Sequence, residues 1–201
     1  MVTKEETERL ISFMDLLHKF QQVERVYYAP DLIRKENDVE HSYLLAMACW
    51  YLVDFLKLDL SISKIMQYAL VHDMVEIYAG DSYVFDTEAQ LTKHDREKKA
   101  QEQLAHEIPE FPSMHKTIAD YELQTDPESI FVRAVDKILP VITNYLQGGI
   151  IWKELGISLA QITELKRRTT EKSPPIHEIV EHLIEKLQHD PIKFFGNKTE
   201  N

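Results

Sequence analysis

The stretch ALVHDMVEIYAGD, residues 69–81, sets four ionisable side chains, His72, Asp73, Glu76 and Asp81, inside an otherwise apolar segment. A charge in an apolar interior is costly unless it is paired, hydrogen-bonded or bound to a cation, so each of these groups needs a partner. On a helix, which turns about 100° per residue, His72 and Glu76 share one face with Asp73 beside it. His41, near the start of the apolar run VEHSYLLAMA, and Asp136, inside FVRAVDKIL, are similarly placed. Two imidazoles and two carboxylates form a borderline-hard donor set suited to Mn, Fe, Co, Ni or Zn, and ligands that leave positions free for water mark catalytic use of a metal. The plainer alternatives are an isolated His-Asp surface pair and an Asp136 that is a core acid paired with Arg133 or Lys137.

The elements that must position these groups are read from periodicity. Apolar residues recur at three- and four-residue spacing and strict alternation is scarce, so the expected fold is all-α. Helices are expected at about 4–21, 38–57, 61–78, 95–107, 114–124, 128–147, 158–169 and 176–188. Asp38, Ser61 and Asp126 are N-cap candidates, the last followed by Pro127 at the first helical position. Gly80 and the QGG at 147–149 are helix stops, and Pro140 should kink its helix rather than end it. YLLAMACWYLV, residues 43–53, reads as a core helix with Cys49 and Trp50 inside. The first helix offers a stripe of Leu10, Ile11, Met14, Leu17 and Phe20, and IIWKELGISL at 150–159 is a candidate for packing or an interface. One domain over 1–150 is expected, with a helical extension over 151–201 packed on it.

Bulk properties narrow the function. A net charge of −11 makes the surface a poor counterion for polymeric nucleic acid, which needs clustered Lys and Arg. A small anion remains a fitting substrate, because a bound divalent ion can dominate its local field. With five glycines, at 80, 148, 149, 156 and 196, there is no GxGxxG fingerprint and no Walker-type phosphate loop. The longest apolar run is closed by Asp54 and is too short to span a bilayer, so no membrane association is expected. The single Cys49 excludes an intramolecular disulfide and a CxxC metal site. The start MVTKEETERL lacks a secretory h-region, and a cytoplasmic location is expected.

The three motifs ENDVEHSYLLA, ALVHDMVEIYAGD and FVRAVDKIL follow the order EN-x-x-EH, HD-x-x-E-x-x-x-GD and a later helix-borne Asp. In this the chain resembles the HD-domain metal-dependent phosphohydrolase superfamily, most closely its 5′-deoxynucleotidase branch, over roughly residues 8–147. The resemblance implies an HD-domain helical bundle in which His41, His72, Asp73 and Asp136 ligate one divalent ion, Co, Mn, Zn, Ni, Fe or Mg. It also implies that Glu76 orients or deprotonates the attacking water, a role its spacing permits. Asp81 would approach the substrate sugar or leaving oxygen, and Arg25, in VERVYY, would grip the phosphate with its guanidinium fork. Val26 follows that arginine where the family has tryptophan, so the motif does not fix deoxyribose against ribose. The implied reaction is hydrolysis of a (deoxy)nucleoside 5′-monophosphate to nucleoside and phosphate, by a homodimer whose substrate partner is a small nucleotide. Another small phosphoester, or a metal- and nucleotide-binding module without turnover, is the alternative. Intact Glu76 and Asp81 weigh toward turnover.

Overall fold

A computed structural model describes residues 1–196, so the last five positions of the expected 151–201 extension lie outside the described residues. The elements are α1 (Lys4–Phe20), β1 (Glu24–Tyr28), β2 (Lys35–Asn37), α2 (Asp38–Leu56), α3 (Ile62–Val71), α4 (Glu76–Ala79) and α5 (Thr87–Glu107). They continue with α6 (Pro112–Leu123), α7 (Pro127–Leu146), α8 (Ile150–Leu155), α9 (Leu159–Thr170), α10 (Pro174–His189) and α11 (Pro191–Phe195). The helix starts have local chemical causes. Thr3, Asn37 and Ser158 each form a capping box with the Glu or Gln three residues on, and Asp126 accepts from the Ser129 amide with Pro127 at the first helical position. The cap of α2 is therefore Asn37 rather than Asp38, one residue earlier than expected.

Three apolar clusters make up the core, and α7 contributes to two of them. The largest joins α2, α3, α7 and α10 through residues such as Leu45, Cys49, Ile65, Val132, Val135, Ile176 and Val180. A second packs α1 against the segment 71–79 and against α5 and α6, through Leu16, Phe20, Met74, Leu104 and Ile118. The third gathers Val141, Trp152, Leu187, Phe194 and Phe195, with the Trp152 and Phe195 rings stacked 5.0 Å apart. The run at 150–159 thus packs inward, with Ile151 and Trp152 fully buried. Among the described residues, no helix is long and apolar enough to cross a membrane.

Several expectations need correction. The fold is helical, but β1 and β2 form a small antiparallel hairpin in a stretch without helix periodicity. The helix expected over 61–78 ends at Val71, because Met74, Glu76 and Ile77 donate to carbonyls three residues back instead of four, and α4 follows as a separate turn. Helix α5 begins at Thr87, capped by Asp86, well ahead of the expected start. As expected, helix α7 does not end at Pro140, which lies inside it. On α1 the buried residues are Leu16 and Phe20, whereas Leu10, Ile11 and Met14 are exposed. Trp50 is 48% exposed on the outer face of α2, where only Cys49 of the expected pair is core.

Candidate metal centre

The capped start of α2 fixes the direction in which its first turns face. His41 lies in that first stretch, three residues after Asp38, and both are buried on the inner side. His72 is the C-terminal cap of α3, and the tight turn after it lets the consecutive His72 and Asp73 approach one point rather than diverge as on a regular helix. Asp136 comes from the buried face of α7. The four residues expected to bind metal are brought together. His41 Nε2 is 3.0 Å from Asp136 Oδ1, His72 Nε2 is 3.9 Å from that oxygen and 2.8 Å from Asp73 Oδ2. Donor atoms of His41, His72 and Asp73 all lie within 4.8 Å of one another. Such separations suit nitrogen and oxygen donors each about 2.1 Å from a shared ion.

The tautomers support the same reading. His72 Nδ1 lies 3.0 Å from the Ala69 carbonyl oxygen, to which it donates, so in the neutral ring, the form that ligates a metal, Nε2 carries the lone pair. That buried Nε2 has no hydrogen-bond partner although a carboxylate oxygen is beside it. A lone pair facing a carboxylate is repulsive until a proton or a metal ion stands between them. Burial opposes protonation of His72, but the Asp73 carboxylate outweighs it and raises the pKa, so the site draws in positive charge. Burial and the neighbouring Arg25 guanidinium push His41 down to about 4, leaving a neutral imidazole able to ligate. Lys137 Nζ lies 2.7 Å from Asp136 Oδ2, so a core acid with a lysine partner and a candidate ligand are the same residue, its two oxygens facing opposite ways.

Arg25 reaches the site from β1. Its Nη1 lies 2.8 Å from Asp38 Oδ1 and 3.0 Å from Asp73 Oδ2, and Nε lies 3.8 Å from Glu36 Oε2. Asp38, Asp73 and Glu76 form an acidic cluster within 4.8 Å. Burial, followed by the charges of Asp73, Asp38 and Asp81, holds the Glu76 carboxyl well above the usual carboxylate range, and Glu76 Oε2 is buried without a partner. Burial likewise raises Asp81, against the pull of Arg25. A cavity of about 300 Å³ joins these groups, lined by Arg25, Asp73, Glu76, Asp81 and Asp136 on one side.

The rest of the wall contains residues that sequence reasoning missed. Tyr27 lines the cavity together with Arg25, both from the irregular strand β1 of a hairpin that carries no clear sequence signal. Its ring meets Tyr83 edge-on at 6.1 Å between centroids. Lys93, Arg133, Lys137 and Lys166 complete a basic side. Glu36 opens the EN-x-x-EH motif and Asp38 sits at one of its variable positions, but their burial against Arg25 carries no sequence signal.

An HD-domain family model matches residues 17–177, and the chain belongs to the HD-domain family. Among curated proteins it is similar to 5′-deoxynucleotidase HDDC2 of Bos taurus, at 29% identity over 131 residues, 64% of this chain and 62% of that protein. The Homo sapiens counterpart is 28% identical over 64% of this chain and 63% of its own length, and that of Xenopus laevis 30% over 64% of each. These matches span less than two thirds of the relatives' length. A solved structure from Magnetospirillum magnetotacticum MS-1, described as a predicted metal-dependent phosphohydrolase, superposes with a TM-score of 0.78 at 26% identity, covering 91% of this chain and 97% of that one. A conserved hypothetical protein from Pyrococcus furiosus shares the fold at a TM-score of 0.59 and 21% identity, over 87% of this chain and 99% of its own.

Proposed function

We propose that the chain is a metal-dependent phosphohydrolase that cleaves (deoxy)nucleoside 5′-monophosphates to nucleoside and phosphate. The observation that carries the reading is the convergence of His41, His72, Asp73 and Asp136, with the His72 Nε2 lone pair fixed toward a carboxylate by the Ala69 carbonyl. The names of the curated relatives and of the bacterial structural neighbour support it. A divalent ion held by those four residues would supply Lewis acidity to a phosphoryl oxygen and acidity to a water. Glu76 is the base: its carboxyl, made more basic by burial and by neighbouring acids, is suited to take the proton of the attacking water. Asp81, beyond the left-handed turn at Gly80 and on the cavity wall, is placed to meet the sugar or leaving oxygen. Tyr27 and Tyr83, rather than Val26, supply the aromatic surface for the nucleoside.

A cavity of this volume, at the low end of the range for small-molecule sites, suits a mononucleotide. A homodimer through α2 is part of the proposal. Tyr43, Met47, Trp50, Tyr51 and Phe55 form one exposed apolar strip along that helix, an arrangement that marks an interaction surface. Trp50→Asp is expected to turn the assembly to monomer in sedimentation. An unchanged mass refutes the assignment of that face. A reducing, cytoplasmic setting accords with a lone buried thiol.

The test is phosphate release from a panel of deoxy- and ribonucleoside 5′-monophosphates by chelator-stripped protein reloaded with Co, Mn, Ni, Zn or Mg. Release that disappears in Asp73→Ala supports the reading. Stoichiometric metal binding with no release from any monophosphate overturns it, and favours a binding module.

A further inference from the structure

Five cationic side chains line the cavity, and four of them are engaged. Arg25 is held by Asp38 and Asp73, Lys93 Nζ lies 3.3 Å from Glu97, Arg133 2.9 Å from Glu122 and Lys137 2.7 Å from Asp136. The fifth, Lys166 of α9, is only 5% exposed, lines the cavity, and has no ion pair or side-chain hydrogen bond among the described residues, while its Nζ is not sealed in the protein but keeps some accessible surface. Its backbone carbonyl accepts from the Thr170 hydroxyl at 2.7 Å and the Thr169 hydroxyl at 3.4 Å. Lys166 lies on the cavity wall with Leu165 and Thr169 of α9, facing the part of α7 that carries Lys137 and Pro140.

An ammonium on a largely buried side chain, with no protein counter-ion, is an expensive choice at a position where an apolar side chain of like length would pack without cost. Burial and the nearby charge of Lys137 push Lys166 down to about 7, in keeping with a charge that has no anion beside it. Elsewhere in the same wall each cation has been given an acid. A missing partner that faces a ligand cavity is a partner the ligand brings. Arg25, the residue expected to grip phosphate, is occupied on both sides by carboxylates and shields the acidic cluster.

Building on the phosphohydrolase reading, we propose that Lys166, with Lys137 beside it, receives an oxyanion of the substrate phosphate and of the orthophosphate product. Lys166 is thus a substrate-binding residue supplied by α9, and Arg25 is a positioning residue for the carboxylates. An ammonium is a compact point charge with three donors, suited to a phosphate oxygen that turns between several partners during hydrolysis.

The probe is orthophosphate, titrated calorimetrically into metal-loaded wild type, Lys166→Met, Lys166→Gln and, as a surface control, Lys186→Gln. Both Lys166 variants should lose at least tenfold in orthophosphate affinity while holding metal at the wild-type stoichiometry, and Lys186→Gln should match wild type. In phosphate-free buffer Lys166→Met should melt above wild type, because a charge without a partner has left the interior. A lysine kept for structure moves the other way, melting lower with phosphate affinity intact. That result, undiminished orthophosphate binding in Lys166→Gln, or absence of orthophosphate binding in the metal-loaded wild type overturns the assignment. The two proposals separate cleanly. Lys166-dependent phosphate binding without turnover of any nucleoside monophosphate sinks the nucleotidase and leaves the anion site, whereas turnover with Lys166-indifferent phosphate binding does the reverse.

Discussion

Replacing Arg25 by methionine keeps the length of the side chain and its apolar stem while removing the charge. The guanidinium is 10% exposed and sits 2.8 Å and 3.0 Å from two carboxylates that are themselves largely buried, so water does little to screen the loss. In metal-free protein, Asp38 and Asp73 would then face Glu76 and Glu36 with no cation among them. Removing one partner of a buried pair typically costs about 3–5 kcal/mol, because the other charge stays behind. For a chain of this size each kcal/mol is worth about 2–4 °C, which puts the expected fall in melting temperature at about 6–20 °C. A divalent ion acts in the opposite sense, since Asp73 is no longer shared with a guanidinium and the variant gains more from the ion than wild type does. Thermal melts of both proteins, stripped of metal and at saturating divalent ion, measure the two effects together. The expected pattern is a large gap without metal that narrows with it. If stripped Arg25→Met melts with wild type and shows only a raised KM, the carboxylate contacts are incidental and Arg25 grips substrate after all.

Burial lifts the Glu36 carboxyl from an ordinary 4.5 to about 7, so the folded protein holds a proton that the unfolded chain releases between those values. Stability of the metal-free protein should therefore fall as pH rises through this window, and the advantage of Glu36→Gln in urea melts should grow with pH to on the order of 2 kcal/mol by pH 8. A constant difference across pH would show that Glu36 is ionised in the fold. A divalent ion that binds only the folded state should raise the melting temperature with concentration, by about 2.7 kcal/mol of stability at a hundred times its Kd, and Asp136→Asn should abolish most of that rise. An unchanged rise in Asp136→Asn removes that residue from the ligand set. Gly149 has φ +75°, and a Cβ there would meet the backbone carbonyl of Phe194. Gly149→Ala should unseat α11 from the Trp152 cluster, seen as a red shift and loss of intensity in tryptophan fluorescence, and native fluorescence in the variant would contradict the close approach.

The main helices were legible because their signals were redundant: α7, for example, has an acidic cap, a proline at the first helical position and a long apolar face, and its span was read to within a residue. The hairpin was not, since ERVYY offers only five residues of strand pattern and its partner KEN only three, too short for alternation to stand out from chance. The break after Val71 was hidden for a different reason. Val71, Met74, Val75 and Ile77 all pack against the second cluster, so the apolar spacing continues through a turn in which the hydrogen bonds change from four residues back to three. Periodicity reports which side faces the core and is blind to the bonding between. At the site, His41, His72, Asp73 and Asp136 could be named from motif order. Their counter-charges could not, because Arg25 with Asp38 or Lys166 with nothing are facts of three-dimensional neighbourhood. The outward strip on α2 was likewise mistaken for core, an apolar helix being equally compatible with a protein interior and with a partner's surface.

The proposed ligand residues come from distant points of the chain, at 41, 72–73 and 136, and each is lodged in or directly after a helix of the largest cluster. An ion bound there would be a late arrival in folding: these donors meet only once α2, α3 and α7 have packed, and the apolar core, not the metal, would bear the entropy of closing those long loops. Unlike a small domain that is a coil until zinc enters, this scaffold should stand without its ion, offering a prebuilt seat through which divalent ions exchange without unfolding. Which of them occupies it is then decided by the supply in the surrounding cell as much as by the protein.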